Sequence, residues 1–177
     1  MTRRLLVRPT QDEDVNILNE LLIHPQISCW FLNPPRTGQI EIRRRLVQDD
    51  CGWENENRIQ LTAISRNHSQ GLSRVIGAAR IEEGQISYYV APDRWRQGFG
   101  FELVEAVCAF ALPDLRLARL YACVLRDNVA SRRILERLGF VFCGLAYRTH
   151  AFRRGYYAAL NFELFNPRLS LAGGKLR

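Results

Sequence analysis

Two glycines one residue apart, Gly98 and Gly100, follow the arginines Arg94 and Arg96 in the stretch VAPDRWRQGFGFELV, residues 90–104. An aromatic, strand-like run precedes them and a long apolar run follows. A helix that begins near Gly98 leaves the N–H groups of its first turn unpaired, with a partial positive charge at the same end. Glycine lets an anion approach that backbone, and guanidinium groups nearby add charge-assisted bonds. Phosphate binding is the chemistry these residue types suit. A tight strand-to-helix turn with no ligand accounts for the same residues without chemistry.

Two familiar phosphate motifs do not fit. A GxGxxG fingerprint needs glycine at 103, where Leu103 stands, and an acidic residue closing the next strand, which instead ends at Arg126. The GK[ST] ending of a Walker loop is absent. A second segment, RLARLYACVLRDNVASRRILERLGFVFCG at 116–144, follows at the spacing of a strand–helix–strand crossover. Asn128 is placed to cap its helix, Ile134, Leu135 and Leu138 form its apolar face, and Gly139 is its stop.

The elements that must position these residues can be read from periodicity. Strands are predicted at Arg4–Arg8, Arg58–Ser65, Val75–Glu82, Gln85–Ala91, Leu117–Leu125, Phe140–Ala146 and Tyr156–Phe165. Helices are predicted at Asp12–Leu22, ended by Pro25, at Gln39–Val47, at Phe99–Leu112, closed by Pro113, and at Asn128–Leu138. EEGQ reads as a hairpin loop and RTHAFRRG as a basic loop between the last strands. Phe99–Leu112 is apolar on almost every face, which predicts a helix buried on most sides. Strands mixed with helices in this order predict an α+β fold with a mixed sheet. Residues 1–167 read as a single domain and 168–177 as a frayed tail.

The 177 residues are 47% hydrophobic and 24% charged, the composition of a soluble globular chain. No apolar run approaches the roughly 18 residues of a membrane span, and the N-terminus lacks the apolar core of a signal peptide. The net charge of +7, mostly arginine, suits acidic partners or phosphorylated cofactors, or serves solubility alone. Nucleic acid is disfavoured, because no basic stripe interleaved with aromatics appears. The cysteines Cys29, Cys51, Cys108, Cys123 and Cys143 are odd in number and lack CxxC spacing, which points to reduced thiols in the cytoplasm. His24, His68 and His150 lie too far apart to suggest a metal site.

Together the two segments resemble the GNAT family of acyl-CoA-dependent N-acetyltransferases, and within it the RimJ/RimL branch that acetylates ribosomal-protein N-termini. The residues that carry the resemblance are Trp95-Arg96-Gln97-Gly98-Phe99-Gly100, Glu102, Asn128-Val129-Ala130-Ser131 and Leu138-Gly139-Phe140. The resemblance implies the GNAT fold, a mostly antiparallel sheet of about seven strands with about four helices, splayed between the fourth and fifth strands. It implies acetyl-CoA as cofactor, with its arm in the splay. Backbone groups of Tyr89 and Val90 would pair with the arm. The amides of Gln97, Gly98, Phe99, Gly100 and Phe101 would hold the pyrophosphate, helped by Arg94 or Arg96, and Asn128 would contact the pantetheine.

Acetyl transfer needs a neutral amine, a donor for the thioester oxygen and a partner for the departing thiolate. The N–H of Val90 is the candidate for the oxygen. Many GNAT enzymes use a tyrosine where this chain has Leu135, so the resemblance leaves Ser131 as the partner of the thiolate, with an ordinary first-turn serine as the alternative. Gln85 stands where the branch often has a carboxylate base. Glu82, Glu83, His150 or water alone remain as candidates, and Tyr88, Tyr147, Tyr156 and Tyr157 read as sheet-packing aromatics. An α-amine of pKa near 8 is roughly a tenth neutral at pH 7, against about 0.1% or less for lysine. A site without a clear base therefore suits a protein N-terminus or another amine of low pKa. Acceptor choice is expected to rest on Pro25–Gly38 and Tyr147–Tyr157, and the basic FRRGYYAAL hints at an acidic acceptor. A small-molecule acetyltransferase and a non-catalytic acyl-CoA-binding protein are the alternatives, as monomer or homodimer.

Overall fold

The computed structural model describes residues 4–32, 58–66, 74–150 and 153–167. Seven strands form one sheet: β1 (Leu5–Pro9), β2 (Arg58–Ser65), β3 (Val75–Glu82), β4 (Gln85–Val90), β5 (Arg119–Leu125), β6 (Val141–His150) and β7 (Arg153–Phe165). Among the described residues four α-helices accompany them: α1 (Val15–Ile23), α2 (Pro25–Ser28), α3 (Phe99–Asp114) and α4 (Val129–Arg137). The strand order is β1-β2-β3-β4-β5-β7-β6, and every neighbouring pair is antiparallel except β4 and β5.

The parallel pair makes the functional opening. β4 and β5 meet at a single rung, Gln85 opposite Tyr121, reinforced by the Tyr121 N–H donating to the Gly84 carbonyl at 3.0 Å. Beyond it the ladder stops and the strands part, as expected for a splay between the fourth and fifth strands. Tyr88 and Tyr89 mark the two sheet faces: the Tyr88 hydroxyl reaches Ser131 on α4, and the Tyr89 hydroxyl donates to the Leu18 carbonyl on α1. α3 sits in the core as its composition predicts, with Leu103, Val104, Val107 and Ala111 almost completely buried.

β2 and β3 match the sequence reading, whereas several boundaries differ. Pro25 does follow the end of α1, but it also opens α2, where its missing N–H costs nothing and its fixed φ suits a first turn. Pro113 lies inside the last turn of α3 rather than closing it. Most of RTHAFRRG is not loop: β6 runs to His150, which pairs with Arg153 at the start of β7. The helix expected at Gln39–Val47, and Cys51, His68 and the tail at 168–177, lie outside the described residues.

A buried carboxylate joins β1, β2 and the start of α1. Asp14 is 2% exposed and receives Arg8 through two bonds of 2.6 and 3.0 Å, the Thr62 hydroxyl at 2.9 Å and the Gln11 N–H at 2.9 Å. Burial alone would raise its pKa, but Arg8, Gln11 and Thr62 together hold it below the ordinary carboxylate value.

Candidate active site

The splay opens into a cleft of about 640 Å³ between the end of β4, the turn before α3 and the start of α4. Four arginines, Arg94, Arg96, Arg133 and Arg137, line it against one carboxylate, Asp127. That balance suits a ligand bearing several negative charges.

The turn into α3 forms one end of the cleft. Gly98 caps the helix with φ +86°, a conformation that other residues adopt at a cost, and Arg96 before it is also left-handed at +60°. The first helical bond is donated by the Glu102 N–H to the Gly98 carbonyl. The amides of Gly98, Phe99, Gly100 and Phe101 therefore have no partner within the helix. Gly100 serves packing as well, since a Cβ there would lie 3.0 Å from Ile134 Cδ1 on α4. Glu102 is ion-paired with Arg4, whose guanidinium lies over the Phe99 ring at 4.6 Å, so it ties β1 to the start of α3. Arg94 and Arg96 border the cleft, Arg94 also pairing with Asp93 at 3.2 Å. Gln97 is turned outward, its side-chain amide donating to the Asp93 carbonyl at 2.9 Å.

β4 supplies the edge. The Ala91 N–H donates to Ile76 on β3 at 2.7 Å, and in a strand successive N–H groups point to opposite sides. The Val90 N–H and the backbone of Tyr88 therefore face the splay, while the backbone of Tyr89 pairs with Ala78 on β3. The Val90 carbonyl is occupied by the Trp95 indole N–H at 2.7 Å. Gly77, opposite Val90, is demanded by close approach: a Cβ there would lie 2.2 Å from the Tyr89 carbonyl oxygen.

α4 supplies the facing wall. The Asn128 side chain caps the helix, accepting from the Ser131 N–H at 3.1 Å. Ser131 Oγ lies 2.8 Å from the Tyr88 hydroxyl. Burial pushes the Tyr88 pKa up to about 12, against the smaller opposing effect of that hydrogen bond. Leu135, where the resemblance would place a tyrosine, is fully buried in the core.

The structure thus brings Val90, the turn from Gly98 to Phe101, Asn128 and Ser131 to one cleft; Tyr89 lines it too, but its backbone is paired with β3, so of the two residues expected to pair with the arm only Val90 faces the splay. It does not bring Glu82 and Glu83 there. Glu82 is ion-paired with Arg58 and Arg80, and Glu83 sits exposed in the β3–β4 turn. Both stand beyond Gln85, at the far end of the six-residue β4, roughly 17 Å from Val90 at a strand's rise. His150 ends β6 at the tip of the last hairpin. Three participants escaped the sequence reading: Tyr88, Arg137, which stacks on the Phe101 ring at 4.3 Å, and Trp30, which reaches the cleft from just after α2. Tyr88 had a signal, since it shares a β4 face with Val90 two residues on.

Comparison with known proteins decides the family. Residues 4–141 match the model of the acetyltransferase (GNAT) domain. The chain belongs to the GNAT family of N-acetyltransferases. Members of this family use acetyl-CoA, and the unpaired amides and cleft arginines of this GNAT chain fit a pyrophosphate-bearing cofactor. An uncharacterized N-acetyltransferase, YoaA, from Bacillus subtilis is 26% identical over 172 residues, covering 94% of this chain and 96% of its own. Among solved structures, ribosomal-protein-S5-alanine acetyltransferase from Vibrio fischeri aligns with a TM-score of 0.81 at 16% identity, covering 94% of this chain and 96% of that one. Spermidine N-acetyltransferase from Vibrio cholerae, in complex with CoA and spermine, aligns with a TM-score of 0.79 at 16% identity, covering 93% and 97%. The same GNAT architecture therefore serves protein and polyamine acceptors in its neighbours.

Proposed function

We propose that this chain transfers acetyl from acetyl-CoA directly to a primary amine, with a protein N-terminal α-amine as acceptor, in the manner of the RimJ/RimL branch. The observation that carries this reading is the pair of groups facing each other across one cleft: the inward N–H of Val90 on β4 and the Ser131 hydroxyl on α4. Acetyl-CoA supplies the acetyl thioester. The amides from Gly98 to Phe101 would hold its diphosphate, with Arg94 and Arg96 beside them, and the Asn128 amide would contact the arm. The Val90 N–H would donate to the thioester oxygen as charge builds on it, a contribution of about 3 kcal/mol.

Ser131 stands by the departing thiolate. The raised pKa of Tyr88, about 12, lies well above that of an ordinary thiol near 8.5. Tyr88 therefore keeps its proton, and in this scheme its hydroxyl donates to Ser131 Oγ, one of the two directions open to the 2.8 Å contact. That occupies the acceptor side of the serine and leaves its own hydrogen to point at the sulfur. Tyr88 is a positioning residue in this scheme, and Ser131 the catalytic one. No carboxylate is needed as a strong base, because a low-pKa amine is partly neutral at pH 7.

Cys108, Cys123 and Cys143 are thiols outside any disulfide, and burial pushes Cys108 up to about 12, so it is unreactive. This supports the cytoplasm as location. A small-molecule amine is the second reading, favoured by the spermidine-enzyme neighbour. Thermal melts with acetyl-CoA, with NADH and ATP as controls, test the cradle. At a hundred times the dissociation constant the ligand adds about 2.7 kcal/mol, a rise of roughly 5–10 °C for a chain of this size. A larger rise with NADH, or none with acetyl-CoA, refutes the assignment.

A further inference from the structure

We propose that a smaller cavity beside the cofactor cleft is the acceptor subsite, and that it selects a primary amine with an anionic group behind it. The chemical class is an α-amino acid, or the N-terminus of a peptide with an acidic residue among its first positions. This rests on the acetyl-transfer reading above and gives that reading a substrate.

The cavity measures about 290 Å³ and is bounded by Trp30, Leu125, Arg126, Asp127, Tyr157 and Ala158. That is below the roughly 300–1,000 Å³ of sites that enclose a drug-sized ligand, so it takes a small molecule or one end of a larger one. Trp30 and Asp127 line both this cavity and the cofactor cleft, so the two spaces meet at that pair. Arg126 borders only the smaller space. The charges are therefore ordered along the path: a carboxylate at the junction, where the amine must meet the thioester, and a guanidinium behind it.

The turn that carries them is held by its backbone. The Arg126 N–H donates to the Ala158 carbonyl on β7 at 2.9 Å, and the Asn128 N–H donates to the Leu125 carbonyl at 2.9 Å. Among the described residues neither Arg126 nor Asp127 forms an ion pair, so both charges are available to a ligand. Trp30 and Tyr157 flank them with aromatic surface suited to an ammonium group.

Asp127 draws the ammonium to the junction. The ammonium proton leaves to water before attack, since an α-amine is roughly a tenth neutral at pH 7. The nitrogen lone pair then forms the N–C bond, the C–S bond breaks and the sulfur departs as thiolate beside Ser131, while the nitrogen gives up its second proton, which passes through water to the thiolate, so that the products are the amide and the free thiol. A polyamine would place a second ammonium against Arg126 and is disfavoured.

The test compares three acceptors with acetyl-CoA: a peptide beginning serine–glutamate–alanine, its serine–lysine–alanine counterpart, and spermidine. Wild type is expected to favour the acidic peptide at least tenfold in kcat/KM over both others. Arg126→Glu should reverse the order of the two peptides, while the melting shift given by CoA stays as in wild type, because this side chain is exposed and outside the cofactor cleft. Asp127→Asn should raise KM several-fold for every amine. Equal use of the three acceptors, a preference for spermidine, or an unchanged order in Arg126→Glu overturns the inference while leaving acetyl transfer intact. Acetylation of none of them overturns this inference, and the melting shift given by acetyl-CoA then decides separately whether the transfer reading stands.

Discussion

Replacing Tyr88 by phenylalanine removes one oxygen and tests how the leaving group is handled. The Tyr88 hydroxyl lies 2.8 Å from Ser131 Oγ in a nearly buried position. Without it, Ser131 loses the donor on its acceptor side, and its hydroxyl can turn to a carbonyl one helical turn back, as first-turn serines do. A hydrogen bond of this kind contributes about 0.5–1.5 kcal/mol net, which at 1.36 kcal/mol per decade is roughly a 2- to 12-fold fall in kcat. Direct proton donation by Tyr88 would be a different matter. Moving a proton from a phenol at about 12 to a thiolate near 8.5 is uphill by about 5 kcal/mol, so that route contributes little. The assay is a double-mutant cycle in kcat over wild type, Tyr88→Phe, Ser131→Ala and the double variant, with KM for acetyl-CoA followed throughout. If Tyr88 acts through Ser131, Tyr88→Phe changes kcat less than twofold in the Ser131→Ala background. The thiolate absorbance of bound CoA, titrated against pH, should move to higher pH in both single variants. Multiplicative losses in the cycle, or an unmoved thiol titration, refute the relay.

The remaining predictions concern the scaffold that holds these groups. Gly77→Ala drives a methyl to 2.2 Å from the Tyr89 carbonyl and must shift the end of β4, so acetyl-CoA affinity should fall at least tenfold, together with a lower Tm; isothermal titration with CoA measures the first. Gly98→Ala forces a side chain into φ +86°, at a cost of about 1–2 kcal/mol, and its Cβ meets Arg4 at 3.1 Å, so Tm should drop by roughly 2–8 °C while CoA binding weakens. The pKa of Asp14 is depressed in the fold, so its network stabilises fully above the unfolded value near 3.8 and is lost as pH falls through the folded value. Tm should therefore be flat above about pH 5 and fall steeply below pH 4, and in Asp14→Asn that acid limb should be shallower from a lower starting Tm.

Much of this protein was legible in one dimension because its signals are local. Alternation and turn chemistry located β2 and β3 and the cap Asn128, and the Gly98 turn announced itself by two glycines behind two arginines. Those features depend on neighbours within a few residues. Family motifs added the splay and the facing Ser131. What depended on distant chain segments stayed hidden. Tyr88 read as one more packing aromatic until α4, 43 residues away, brought Ser131 within 2.8 Å of it. Glu82 and Glu83 were candidate bases until β4 carried them to the end opposite Val90, and the need for glycine at 77 appears only where β3 presses against the Tyr89 carbonyl. Nothing in the sequence set Arg126 and Asp127 apart, and only the approach of Trp30 and Tyr157 made a walled cavity beside them. The physical reason is that side-chain type and period set which face a residue takes, while the splay of β4 from β5 sets what that face meets.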